Sequence, residues 1–396
     1  MSRPHQHQQR TVLRALTAGF LLCLGCGDTS TSSEGPTGSE SAVTGQTSGT
    51  GESESSSSES SSSGSGSSSS SSGSTDATTG VTTNATNATN ATDATTGTTG
   101  TTGTTDATTG TTTDPTTGTT TGGLLEECPE IAAGEELAKV QDPKINEASG
   151  MVASREQEDV LWVHNDSGDG ARVYAITPAG ETIGSFVLDG VLALDWEDMA
   201  IGPGPMPGED GSWLYLGDIG DNAKLRPWVS IYRIPEPNAA DAMGGEVTVK
   251  DVETFNLVYP DGPRDAESLL VDPVTGELVI VSKEDKTGVY RLEGPLTEGG
   301  TYMLEKVEPV NVPLVITTAG DVSPLGDFVI VRTYIDAMLW LRPPGTTLSD
   351  AFKGEPCEVP LKLEIQGETL AIARDASGYS TLSEKESQPL WWFARQ

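Results

Sequence analysis

Histidine, positive charge and aromatic side chains are all scarce in this chain. Of three histidines in 396 residues, only His164 lies beyond the first ten positions. That excludes a zinc site built on imidazoles and leaves a Ser-His-Asp triad with one candidate base and no assured serine. Lysine and arginine total 23 against 58 aspartates and glutamates, a formal net charge of −35. Nucleic-acid binding needs a basic footprint, which this composition denies. There is no Walker-type glycine loop and no metalloprotease helix motif. The apolar stretch from Ala15 to Leu24 is too short to span a bilayer permanently.

What is present divides the chain into three segments. Residues 1–26 have the form of a lipoprotein-type export signal. Arg3, Arg10 and Arg14 precede the apolar stretch, and Leu24-Gly25-Cys26 ends it as a cleavage site. A plain cleaved secretory signal is the alternative. Lipidation of Cys26 would anchor the mature chain to a membrane of a bacterial cell envelope, at the outer membrane or the cell surface. Gly27 stands where the common inner-membrane retention signal has aspartate.

Residues 27–127 contain no lysine, arginine or aromatic residue and are almost entirely Ser, Thr, Gly, Ala, Asp, Glu and Asn. Such a segment buries too little apolar surface to offset its conformational entropy. A disordered, acidic Ser/Thr/Gly-rich stalk is expected. Asn84, Asn87 and Asn90 each open an Asn-Ala-Thr triplet, read either as glycosylation acceptors or as simple low complexity.

Residues 128–396 repeat one pattern five times. Each copy has two short apolar runs, a polar patch and an apolar-aromatic run, and the aromatic positions are Tyr174, Tyr232, Tyr290, Trp340 and Trp391. A recurrence of about 40 to 50 residues made of short strands signals a β-propeller with one blade per copy. The fold expected is all-β and five-bladed; a sixth copy is not visible. The fifth copy ends at Gln396 without an outer strand, while Glu135 to Val140 has no assignment in the first. That N-terminal strand is expected to close the ring on the last blade. Cys128 and Cys357 would form a disulfide in an oxidising compartment, two free buried thiols being the alternative.

The five inner strands begin at matching positions, Ser149, Glu197, Glu267, Thr318 and Glu368. In a propeller these starts meet around one pore, so three carboxylates and two hydroxyls would face one axis. Like charges held together in a desolvated channel repel, so their pKa values rise or a cation compensates. An oxygen-only donor set suits calcium. Strand capping through backbone hydrogen bonds is the alternative role. A second set follows the second strands: Asp166, Asp218, Lys283 and Arg332. The two cations end apolar runs, where turn formation asks for none, and are read either as lining a ligand pocket or as rim salt bridges.

The ring order Ser, Glu, Glu, Thr, Glu resembles that of the calcium-activated nucleotidases, the five-bladed apyrases. The likeness is carried by Ser149-Gly150-Met151-Val152, Glu197-Asp198-Met199-Ala200, Glu267-Ser268-Leu269 and Glu368-Thr369-Leu370, with Thr318 in place of a serine. It implies a central calcium, an acidic active-site residue at Asp166, and Lys283 where that family carries an arginine. The segments Trp196-Glu197-Asp198, Gly217-Asp218-Ile219-Gly220-Asp221-Asn222 and Asp265-Ala266-Glu267 resemble more closely a set of uncharacterised bacterial exported propellers, a likeness that implies no activity.

These readings lead to a surface-tethered, monomeric lipoprotein. Its calcium-binding funnel would take a small anionic ligand or a protein partner and bind no nucleic acid. The alternative is a calcium-dependent phosphohydrolase with Asp166 as general base and Lys283 or Arg332 stabilising charge, or less readily a glycoside hydrolase.

Overall fold

The computed structural model describes residues 124–166, 168–205 and 211–396. The expectations for the export signal, Cys26, nearly all of the stalk and its three Asn-Ala-Thr triplets lie outside the described residues. Among the described residues no helix is long and apolar enough to cross a membrane.

Five sheets, each antiparallel through its first four strands, form the blades of a β-propeller. Their inner strands are Ala148–Ala153, Trp196–Pro203, Ala266–Val271, Thr317–Val322 and Ala371–Ile372. Each packs on the next, and the fifth packs on the first. The second strands explain why the sequence chooses this arrangement. Leu161–Asn165, Leu278–Ser282 and Phe328–Thr333 are buried at every position. A sheet with one wet face would alternate, whereas continuous apolar runs fit sheets covered on both sides. The covering is mutual, with one apolar cluster in each of the five spaces between neighbouring blades.

The ring is completed by the strand that had no place in the first repeat. Glu135–Lys139 pairs antiparallel with Pro389–Ala394, so the last blade takes its outer strand from the start of the domain. Cys128 and Cys357 are joined in a disulfide with Cα atoms 5.9 Å apart. It ties the chain entry to the outer strand of the fourth blade, Cys357–Val359.

Outer strands depart most from the sequence expectation. The sequence reads residues 247–259 as one outer strand of the second blade, but two strands form there. Glu246–Val249 adds parallel to Thr182–Leu188 of the first blade, and only Glu253–Val258 belongs to the second. In the same way Thr301–Met303 adds parallel to the second blade, leaving Glu305–Lys306 for the third. Edge strands offer unpaired backbone groups, and these crossings cover two of them. The fifth inner strand is only two residues long, and Trp391 is only partly buried, with Phe393 stacked on Tyr379 in the core.

Below the channel mouth the axis is filled by charged side chains. Asp198 is fully buried and accepts amide hydrogens from Met199 at 2.8 Å, Leu269 at 2.9 Å and Gly320 at 3.1 Å. These donors belong to the second, third and fourth blades. Asp321 accepts from Val322 and from Ile372 of the fifth blade, each at 2.7 Å. Arg155, at the end of the first inner strand, donates to the carbonyls of Val322 and Ile372, each at 3.1 Å. Burial pushes the Asp321 carboxyl up to about 6 against the pull of Arg155.

His164 is buried on the second strand of the first blade, edge-on to Trp196 at 5.2 Å, with Nδ1 2.9 Å from the Asn165 carbonyl oxygen. Burial lowers its pKa from 6.5 to about 4. A lowered histidine pKa means that the folded state favours the neutral ring. Its contribution to stability is complete above pH 6.5 and is lost as pH falls toward 4. The His164 imidazole is expected to show no NMR titration between pH 8 and 5; a midpoint near 6.5 would contradict its burial.

Candidate functional site at the channel mouth

Four of the five ring residues are produced by one local device. Ser149, Glu197, Glu267 and Thr318 each fall between the paired residues where the register of the inner strand shifts: Ala148 and Gly150, Trp196 and Asp198, Ala266 and Ser268, Thr317 and Ala319. Each is therefore the extra residue of a β-bulge, which turns its side chain out of the ladder. Glu368 follows the bridge between Gly367 and Ser383 at the corresponding place in the fifth blade.

The two hydroxyls bind neighbouring backbone. Ser149 Oγ donates to the Glu197 carbonyl, and Thr318 Oγ1 to that of Gly367 at 3.0 Å. Each bond links adjacent blades, as strand capping would, and the hydroxyl oxygens keep acceptor lone pairs. Two of the carboxylates have side-chain partners. Lys283 Nζ is bonded to Glu267 Oε1 and lies 3.3 Å from the Tyr334 hydroxyl. That hydroxyl donates to Glu368 Oε1 at 2.7 Å. Lys283 is held firmly protonated by Glu267, and burial together with Glu368 raises Tyr334. Glu267 Oε2 is buried without a hydrogen-bond partner.

Glu197 stands in a different setting. One ligand atom from each of Asp166, Asp195 and Glu197 lies within 4.8 Å of the others. Burial, then Glu267, Asp166 and Asp195, push Glu197 well above the usual carboxylate range. Burial and the charge of Asp166 bring Asp195 to about 6. A side chain at position 220 would overlap Glu197 Oε1 and Asp195 Oδ2, so Gly220 allows the backbone to lie against this cluster. The supporting loop is fixed from beneath. Asp218 is fully buried, paired with Arg226 at 2.6 Å, and accepts from the amides of Leu194 and Asp195 at 3.2 and 3.3 Å. On the far side Glu384 is raised to about 7 by burial and by Glu368. Two carboxyls held so close share a proton more readily than both ionise.

The second set divides. Asp166 joins the mouth and Lys283 reaches the ring. Arg332 does not reach the mouth, being fully buried, paired with Glu364 at 2.7 Å and bonded to the carbonyls of Thr333 and Thr369 at 3.1 and 3.0 Å. The salt-bridge reading describes it: an enclosed guanidinium cannot meet a ligand in the funnel. Asp218 likewise supports the loop and does not line a pocket. Sequence reasoning missed Gly220 as a point of close approach and Asp198, Asp321 and Arg155 as axial ties. Gly220 lies within the Gly217 to Asn222 segment, but its role depends on a residue 23 positions earlier that shares no local pattern with it.

No protein-family model matches the chain, and no curated protein matches it. Two solved structures are similar in fold. One is that of U3-55K, with a TM-score of 0.34. The other is the apo form of the soluble aldose sugar dehydrogenase from Escherichia coli, with a TM-score of 0.37. Each is 10% identical and covers 67% of this chain and 100% of its own. Likenesses of this degree carry no argument about activity.

Proposed function

We propose that this chain is an exported, lipid-tethered protein whose propeller binds calcium at the channel mouth and uses the surrounding funnel to bind a ligand or partner. The observation that carries the reading is the grouping of Asp166, Asp195 and Glu197 within 4.8 Å, backed by Gly220. A partly buried cluster of like charge gains from a divalent cation, and oxygen-only donors suit calcium. Glu267, Ser149, Thr318 and Glu368 complete the surrounding ring. Asp166, Asp195 and Glu197, each with a carboxylate oxygen within 4.8 Å of the others, would hold the ion. Bound calcium would supply neutralising charge and an open coordination position. The protein's part is to hold three carboxylates from two blades in fixed relation.

Binding is favoured over turnover because the cations that phosphoryl transfer needs are committed elsewhere: Arg332 is enclosed by Glu364, and Lys283 is bonded to Glu267. The phosphohydrolase reading keeps one support, the Asp195 carboxyl held near 6, which can exchange a proton at neutral pH.

Calcium at about one hundred times its Kd should stabilise the full-length protein by about 2.7 kcal/mol. At about 2 °C per kcal/mol, the melting temperature should rise by about 5 °C over that with chelator. Asp195→Asn should remove most of the shift. Identical melting curves with calcium and with chelator, and no heat on titration, would end the calcium reading. Calcium-dependent cleavage of nucleotides, phosphate esters or glycosides would favour the enzymatic one.

A further inference from the structure

The channel mouth opens on a face that carries several exposed apolar side chains. In each blade the loop entering the inner strand and the turn between the second and third strands lie at the same end of the sheet, because consecutive strands are antiparallel. Leu192 and Leu194 are on the loop entering the second inner strand, and Leu225 and Trp228 on the turn of the same blade. Leu363 and Ile365 are on the loop entering the fifth. All six are at least half exposed, Leu363 at 88% and Leu225 at 78%. Ile335 adds another beside Tyr334, whose hydroxyl is bonded to Glu368. Burying any of them against water would be favourable, yet the fold leaves them out on one face around one opening.

The opening is acidic. Asp166, Asp195, Glu197, Glu368 and Glu384 gather there, whereas Lys283 is bonded to Glu267, and Lys385 lies between Glu147 and Glu384. Anionic membrane surfaces and acidic partners are repelled by such a mouth, and one divalent ion would not reverse its sign. An apolar rim around an acidic well fits a partner with the opposite layout, a basic side chain set among apolar ones. Trp228 is the aromatic anchor such interfaces favour.

We infer that this face docks a polypeptide that places a lysine or arginine in the acidic mouth and apolar side chains on Leu192, Leu194, Leu225, Trp228, Leu363 and Ile365. The inference gives the funnel reading above a partner class, and it does not require calcium to be the bound ion.

The test uses the full chain and three fluorescent peptides of equal length, alternating Leu with Lys, Ser with Lys, and Leu with Glu. Anisotropy is read at physiological salt, with calcium and with chelator. The Leu/Lys peptide should bind at least tenfold more tightly than either of the others. A Leu225→Ser/Trp228→Ser/Leu363→Ser variant with an unchanged melting temperature should lose at least tenfold of that affinity. Equal binding of Leu/Lys and Ser/Lys peptides would overturn the inference, as would an unaffected triple variant or tight binding to vesicles of anionic phospholipid. Peptide binding unaltered by calcium, together with no thermal shift, would remove the calcium reading and leave the docking surface standing. Absence of peptide selectivity under both conditions would remove the docking surface, whatever calcium does.

Discussion

Asp198→Ala is expected to destabilise the propeller by about 4 kcal/mol. The carboxylate accepts three amide hydrogens from three different blades while fully buried. Removing it leaves three buried N–H groups without acceptors, at a cost of about 1–3 kcal/mol each. An opposing effect reduces the total. Burial pushes the Asp198 carboxyl well above its ordinary pKa, so holding it ionised is itself unfavourable and its loss returns part of that cost. The melting temperature should fall by about 8 °C or more, at about 2–4 °C per kcal/mol for a domain of this size. Asp198→Asn retains one acceptor but turns an amide toward the backbone donors, so it should lie between the two. Calorimetry giving the alanine variant within 1 kcal/mol of the parent would show that the axis does not depend on this side chain.

The second large effect is expected from Cys128→Ala/Cys357→Ala. The bridged residues are 229 positions apart. In the chain-entropy view a cross-link of that span restricts the unfolded chain by about 5 kcal/mol, and measured losses on removing native disulfides run to about 2–5 kcal/mol. Losing the bond also frees the segment that leads into Glu135–Lys139, so the seam of the ring is weakened as well. The double variant should melt about 8–10 °C below the oxidised parent, and reductant should bring the parent to the same value. A reduced parent, its thiols confirmed free, that melts where the oxidised one does would contradict this account.

The sequence was most readable where structure is local and repeated. The apolar runs of the second strands announce sheets covered on both faces. The leftover Glu135 to Val140 segment and the incomplete fifth copy indicate how the ring closes. The starts of the inner strands were legible too, because a β-bulge carrying a hydroxyl or carboxylate recurs in four of the five blades. Partnership was harder to read. Glu246–Val249 has the alternation of a strand, but nothing in that alternation says which blade it joins. Lys283 and Arg332 end similar apolar runs, yet one reaches the ring and the other is enclosed by Glu364. The difference lies in the loop from Leu361 to Gly367, which belongs to another repeat. Asp198 had no role in the sequence reading, and its oxygens accept backbone amides of the second, third and fourth blades.

Pairing Glu135–Lys139 with Pro389–Ala394 has a consequence for the nascent chain. These two strands meet across almost the whole domain, and contacts of such separation form late. While a ribosome is still making the fifth repeat, Glu135–Lys139 has no complement. Its exposed pattern is four outward residues in five, three of them charged, which keeps an unmatched strand soluble while it waits. A stop codon only ten residues early would leave it waiting indefinitely.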